Sequence, residues 1–191
     1  MFGTASRTSV TAGAGTIAAL LVAGLLGAFV ALPKPAVPDL PADQPIEAGQ
    51  WWVTPVRAYR VAGDVYGVPL RPGQQAVVLE ADLINRTAQS TKDYFDAIGL
   101  VDRIGQDGGK PSVALTRDSI LSPDLHPAMP ERMAYVWALP SEAKLPDRLS
   151  FAVSAKTYKP RDNLYGAPGW FNPHEVGTFT LALGEADAQP R

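Results

Sequence analysis

Beyond residue 46 the chain alternates apolar and polar side chains with a period of two. In AVVLEADLIN, Val77, Leu79, Ala81 and Leu83 share one face, and Glu80 and Asp82 lie on the other. RLSFAVSAKTY places Leu149, Phe151, Val153 and Ala155 inward and Ser150, Ser154 and Lys156 outward. RMAYVWALP alternates Met133, Tyr135, Trp137 and Leu139, and GTFTLAL alternates Phe179, Leu181 and Leu183. Side chains on a strand point to opposite faces in turn, so each segment predicts a half-buried strand. WWVTPVRAYRV adds a first strand near Trp52 to Val61, with Pro55 placing its beginning at a sheet edge. In the pair Trp51–Trp52, alternation sends one ring inward and leaves the other on the outside. YFDAIGLVDRI and PSVALTRD predict two more strands, joined by GQDGGK as a hairpin whose glycines accept positive φ.

No amphipathic helix interrupts this series. STKDYFDAIGL suffices for one turn, and PSEAKLPDR is broken by its prolines. About seven short strands with frequent turn residues predict a mainly β fold, an antiparallel β-sandwich of immunoglobulin-like architecture. A partly open barrel is the alternative.

The first forty-five residues follow another pattern. Val10 to Leu32 contains no charged residue, and Arg7 and Lys34 flank it. As a helix, its 23 residues would extend about 35 Å, enough to cross a hydrocarbon core of about 30 Å. The reading is an uncleaved transmembrane signal anchor over 10–32, after a short cytoplasmic tail over 1–9. A cleaved secretory signal is the alternative, but the apolar run exceeds the usual length, and the sites near its end put Phe29 or Lys34 where a small residue is wanted. Thr11, Gly15, Ala19, Ala23, Gly27 and Ala31 recur every four residues, a stripe that would allow weak self-association of the helix. Pro33 to Pro45 holds five prolines in thirteen residues and predicts an extended linker over 33–45. The β-sandwich domain is expected over 46–185, with a flexible tail over 186–191.

A resemblance supports the same arrangement. VVLEADLINRT, followed by DLHPAMPERMAYVWALPSEAKLPDRLSFAV, resembles a broad group of bacterial extracytoplasmic immunoglobulin-like domains of unknown function. The matching features are Leu79 to Thr87, Leu125 to Glu131, Met133 to Pro140 and Leu149 to Val153, about half of the domain. The Cys-Trp-Cys signature of true immunoglobulin domains is absent, and an apolar helix stands where the group often has a lipidated cysteine. The resemblance implies fold and location, and it carries over no catalytic or ligand residues.

Composition narrows the chemistry. The chain has no cysteine, which excludes disulfides, thiolate ligands and a lipidated cysteine. Arg7 and Lys34 are the cations before Val37, leaving 15 Lys and Arg against 19 Asp and Glu, a net charge of −4. The cations are scattered, so nucleic acid is not an expected partner. No nucleophile elbow, P-loop or dinucleotide fingerprint occurs. His126 and His174 lie in unrelated segments and could meet Glu175 only by accident of fold, and the Asp102–Asp107 region lacks the calcium-loop pattern. No catalytic residue, cofactor or metal is therefore expected. Asn85-Arg-Thr87 fits a glycosylation sequon but reads better as the turn after a strand.

RDNLYGAPGWFNPHEVG, from Arg161 to Gly177, reads as a long irregular connection between a strand ending near Lys159 and one beginning near Gly177. Tyr165, Trp170, Phe171 and His174 are its candidate partner-binding residues, because rigid amphipathic aromatics suit recognition. The favoured reading is a self-packed loop with Trp170 as internal anchor and Tyr165 exposed. The function expected is that of a membrane-anchored extracytoplasmic binding or accessory module of the bacterial envelope, attached to an envelope protein such as a transport or secretion assembly. An envelope enzyme with a spatially assembled site and a purely structural envelope protein are the alternatives.

Overall fold

A computed structural model describes residues 17, 19–25, 36–102, 104 and 109–186. The chain forms two compact units, Met1–Ala36 and Val37–Arg191. In the first, residues 17 and 19–25 are helical, and Ile17, Leu20, Leu21, Val22 and Leu25 are exposed. Among the described residues no helix is long and apolar enough to cross a membrane. Most of the expected span Val10–Leu32 lies outside the described residues, as do residues 33–35 of the linker and 187–191 of the tail.

The second unit is a β-sandwich of eight strands: β1 Ile46–Ala48, β2 Trp51–Val61, β3 Gln74–Asn85, β4 Ile98–Leu100, β5 Ser112–Leu115, β6 Pro130–Pro140, β7 Arg148–Lys159 and β8 Gly169–Glu185. One layer runs β2-β3-β6-β5, with β1 paired to β2. The other runs β4-β7-β8. All these pairs are antiparallel. The layers join where Leu183–Glu185 at the end of β8 runs parallel to Ala58–Arg60 of β2.

The alternating apolar residues fill the space between the layers. Val77, Leu79, Ala81 and Leu83 meet Met133, Tyr135, Trp137 and Leu139 on one side, and Leu149, Phe151, Val153 and Phe179 on the other. The rings of Tyr135, Trp137, Phe151 and Phe179 follow one another across this core at centroid distances of 6.2, 5.7 and 5.4 Å. Each such ring removes a large apolar surface from water, and offset or tilted ring pairs add to that gain.

Four local features depart from the strand expectations. In β2 the register shifts between Pro55 and Arg57. This bulge inverts the strand's phase: Trp51 and Val53 point inward before it, and Ala58 points inward after it. Pro55, which lacks a ladder donor, is accommodated there inside the strand. The predicted hairpin of YFDAIGLVDRI and PSVALTRD does not form. β4 pairs with β7 and β5 with β6, so the connection crosses from one layer to the other. Tyr94 to Ala97 is a turn, because Tyr94 is drawn into the core beside Trp51. The outer face of β3 is not uniformly polar either: the β2–β3 connection folds over it, and Val65 and Val68 pack on Tyr59, Ala76, Val78, Ala134 and Val136.

The chain is on the domain before Ile46. Leu40 N donates to Thr178 O at 2.6 Å, and Thr178 N donates to Pro38 O at 2.8 Å. Leu40 and Ala42 pack against the core. Gly177 makes room for this strap, since a Cβ there would lie 2.5 Å from the Leu40 side chain.

Candidate functional site

Three segments meet around a cleft of about 720 Å³: Gln50 in the β1–β2 turn, the connection after β3, and the β7–β8 hairpin. The volume lies within the usual range for small-ligand sites, about 300–1,000 Å³.

The first wall is Thr87 to Thr91. Its shape is imposed by Asn85, which is fully buried at the end of β3. Asn85 Nδ2 donates to Gln89 O at 2.8 Å and to Leu125 O at 2.9 Å, and Oδ1 accepts from Thr87 N at 2.9 Å. Thr91 and Leu125 exchange backbone hydrogen bonds in both directions. An asparagine whose amide makes these bonds cannot carry a glycan, so Asn85-Arg-Thr87 is a structural turn rather than a modification site.

The second wall belongs to the hairpin. The sequence read Arg161 to Gly177 as irregular, but β8 already begins at Gly169 and the turn is only Pro160–Pro168. The apolar alternation is faint in WFNPHEV because nothing before Val176, which packs against the core, is buried in this half of β8, and two register shifts against β7 blur it further. Tyr158 faces Trp170 across the hairpin, and Thr157 faces Phe171. Directly opposed residues share a face, so the hairpin carries two aromatic faces. Tyr158 and Trp170, with ring centroids 5.4 Å apart, line the cleft together with Pro168 and Gly169. Tyr158 is 51% exposed and Trp170 is half-buried, its ring beside Gly49. On the other face Tyr165, 71% exposed, stacks on Phe171 at 6.0 Å, and Lys159 Nζ lies 5.6 Å from the Phe171 ring.

Asp162 holds the turn between these faces. Its Oδ1 accepts from Leu164 N at 2.9 Å and Tyr165 N at 3.2 Å, and its Oδ2 accepts from Lys159 Nζ at 3.2 Å. The bonds from the Leu164 and Tyr165 amides and from Lys159 outweigh partial desolvation and hold the carboxyl below its ordinary value. His174 is exposed on β8 with Nδ1 3.1 Å from Asn172 O. Of the four residues selected from sequence, Trp170 lines the cleft, Tyr165 and Phe171 pair on the opposite face, and His174 stands apart from both.

The floor is polar. Asp93 Oδ1 accepts from Lys156 Nζ, and Asp93 Oδ2 accepts from Gln50 Nε2 at 2.8 Å. The Asp93 carbonyl accepts from Trp51 Nε1 and from Gln50 Nε2, each at 3.1 Å. Gln50 is only 3% exposed, yet its Oε1 accepts no hydrogen bond from a described residue. A cavity of about 20 Å³, roughly the room one water needs, shares Gln50 and Asp93 with the cleft and is also lined by Lys156. Ser90 Oγ at the cleft rim lies 2.7 Å from His126 Nδ1.

Tyr158, Gln50 and Thr87 to Thr91 escaped the sequence reading. Tyr158 looked like a strand terminus, and Gln50 and Asp93 are brought together only by the fold. Asn85 alone left a local trace, the polar turn NRT closing a hydrophobic strand.

No protein family matches the chain, and no curated protein does. A solved structure of an uncharacterized β-sandwich protein from Clostridium difficile 630 is similar at 9% identity and a TM-score of 0.45, over 80% of this chain and 97% of that one.

Proposed function

We propose that this protein is a membrane-anchored, extracytoplasmic binding or accessory module of a bacterial envelope, and that its ligand enters the cleft between Thr87–Thr91 and Tyr158–Trp170. The observation that carries the reading is an aromatic wall left open to solvent above a fully organised polar floor. Aromatic rings spent on folding are normally buried, whereas Tyr158 stays half in water beside a partner ring. The five exposed apolar residues at positions 17–25 support the anchor, since such side chains need a non-aqueous neighbour. The strand order supports an immunoglobulin-like sandwich: apart from the three-residue β1 paired to β2, β2-β3-β6-β5 against β4-β7-β8 repeats the four-and-three partition of constant-type domains.

The test uses full-length protein extracted from membranes. Wild type and Tyr158→Ala are compared for capture of envelope partners, with melting curves on both. Loss of capture at an unchanged melting temperature is expected. Unchanged capture rejects the cleft, and recovery of the wild type in the soluble fraction rejects the anchor.

The enzyme reading keeps one observation, the 2.7 Å contact between Ser90 and His126. Among the described residues no carboxylate bonds the other imidazole nitrogen, so nothing orients the ring as a triad acid would. Labelling of Ser90 by a fluorophosphonate would revive it.

A further inference from the structure

We infer that the cleft binds a neutral saccharide chain; this rests on the cleft being the binding site. The two walls differ in chemistry in the way a sugar ring differs between its faces and its edge. A hexopyranose presents apolar C–H faces and a rim of hydroxyls. Tyr158 and Trp170 offer ring surface for the C–H faces, and the Pro168–Gly169 segment beside them brings no bulky polar group. Thr87, Gln89, Ser90 and Thr91 offer four neutral hydroxyl or amide side chains along the facing wall.

The floor sets the charge of the ligand. Among the described residues Asp93 is the one carboxylate lining the cleft, and Lys156 already neutralises it. No other charged side chain among the described residues lines the cleft to select an ionic ligand. Gln50 lines the cleft, and its amide oxygen accepts no hydrogen bond from a described residue, which suits it to a hydroxyl donor.

The facing wall also argues against an extended peptide. Peptides added to a sheet edge are held mainly through backbone hydrogen bonds. Here part of the wall's backbone is already engaged: Thr87 N by Asn85 Oδ1, Gln89 O by Asn85 Nδ2, and both Thr91 groups by Leu125. The hydroxyls of Thr87 and Ser90 are already engaged, by Asn85 Oδ1 and Gln89 O and by His126 Nδ1; among the described residues what remains available is the Gln89 amide and the proton of the Thr91 hydroxyl, which accepts from Asp93 N at 3.1 Å, on a loop fixed in advance by a buried asparagine. Such preorganisation limits the ordering cost of binding.

Full-length protein in detergent, titrated with N-acetylchitotetraose and with cellotetraose, tests this. Binding is read by calorimetry and by intrinsic tryptophan fluorescence, since Trp170 lines the cleft. Saturable binding of at least one oligomer is expected. Tyr158→Ala should weaken it about tenfold or more, Gln89→Ala should weaken it less, and Tyr158→Phe, which keeps the ring, should restore it. Melting curves of the variants should overlay that of the wild type. Absence of saturable binding by both oligomers overturns the inference, as does binding indifferent to Tyr158→Ala. If neither sugar binds while Tyr158→Ala still abolishes partner capture, the saccharide class falls and the cleft stands as a binding site.

Discussion

Glu80 is only 3% exposed although it points away from the core between the layers. Its Oε1 accepts from Tyr66 Oη at 2.8 Å, Tyr59 Oη at 3.0 Å and Arg57 at 3.0 Å, and its Oε2 accepts from Arg57 Nε at 3.0 Å. Burial alone would raise the carboxyl, but the bonds from Arg57, Tyr66 and Tyr59 more than offset it and hold it below its ordinary value. A depressed carboxyl adds stability above the pKa of the unfolded chain, near 4.5, and loses it as pH falls through the folded value. Glu80→Gln keeps the shape and removes the charge facing Arg57. With Arg57 half in solvent, the expected cost is about 1–3 kcal/mol at neutral pH. Urea unfolding of both proteins should show that gap at pH 7 and a narrowing gap below about pH 4. A constant gap would remove Glu80 from the acid sensitivity. Period-two reading placed Glu80 on the outer face, and it is there. It could not reveal that Tyr66, fourteen positions earlier in sequence, folds back over it, because that contact depends on the β2–β3 connection and not on strand alternation.

At the scale of elements, legibility followed the core. β3, β6, β7 and the second half of β8 were plain in the sequence because their inward residues face the other layer. β4 was read as part of a longer strand over Tyr94–Ile104 with the wrong partner, and the first half of β8 was read as a loop. β4 has three residues, too few to mark its own bounds by period, and Gly169–Glu175 contributes no buried residue. The cleft was illegible for a related reason, since its two walls are a loop and an overhanging hairpin. Their geometry is nevertheless fixed, and Asn85 fixes one of them. Asn85→Ala leaves the Leu125 carbonyl short of a buried partner and releases Gln89 O and Thr87 N. The expected cost is about 2–4 kcal/mol, in the range for loss of several buried hydrogen bonds. Hydrogen exchange should show faster exchange at Thr87, Gln89 and Thr91 than in the wild type, with β6 and β7 amides unchanged in rank. Uniform loss of protection would mean that Asn85 serves the whole fold and not the wall.

For the whole molecule, the strap at Pro38 to Ala42 decides where the domain begins. The sequence set the boundary near Ile46 on composition, because a proline-rich run looks extended whether or not it rests on a surface. Two backbone hydrogen bonds to Thr178 and partial burial of Leu40 tie this run to β8. Residues 37–191 should therefore outlast residues 46–191 by about 1–3 kcal/mol. In a domain of this size that corresponds to a melting temperature about 3–10 °C higher. Both fragments should give β-dominated circular dichroism. Equal melting temperatures would return the strap to the linker.

The parallel contacts of β8 have a mechanical consequence. Asp39 bridges Thr178 in parallel, and Ala58–Arg60 run parallel to Leu183–Glu185, between positions 125 apart in sequence. A force drawing the segment before Asp39 away from the residues after Glu185 pulls these strands in opposite senses along their own axes. The rungs then bear the load together instead of opening one by one, as they would in an antiparallel hairpin peeled from its ends. Stretched between residues 37 and 186 in a single-molecule experiment, the domain should yield in one abrupt step. Stretched across the β7–β8 hairpin, between residues 148 and 182, it should give way at markedly lower force.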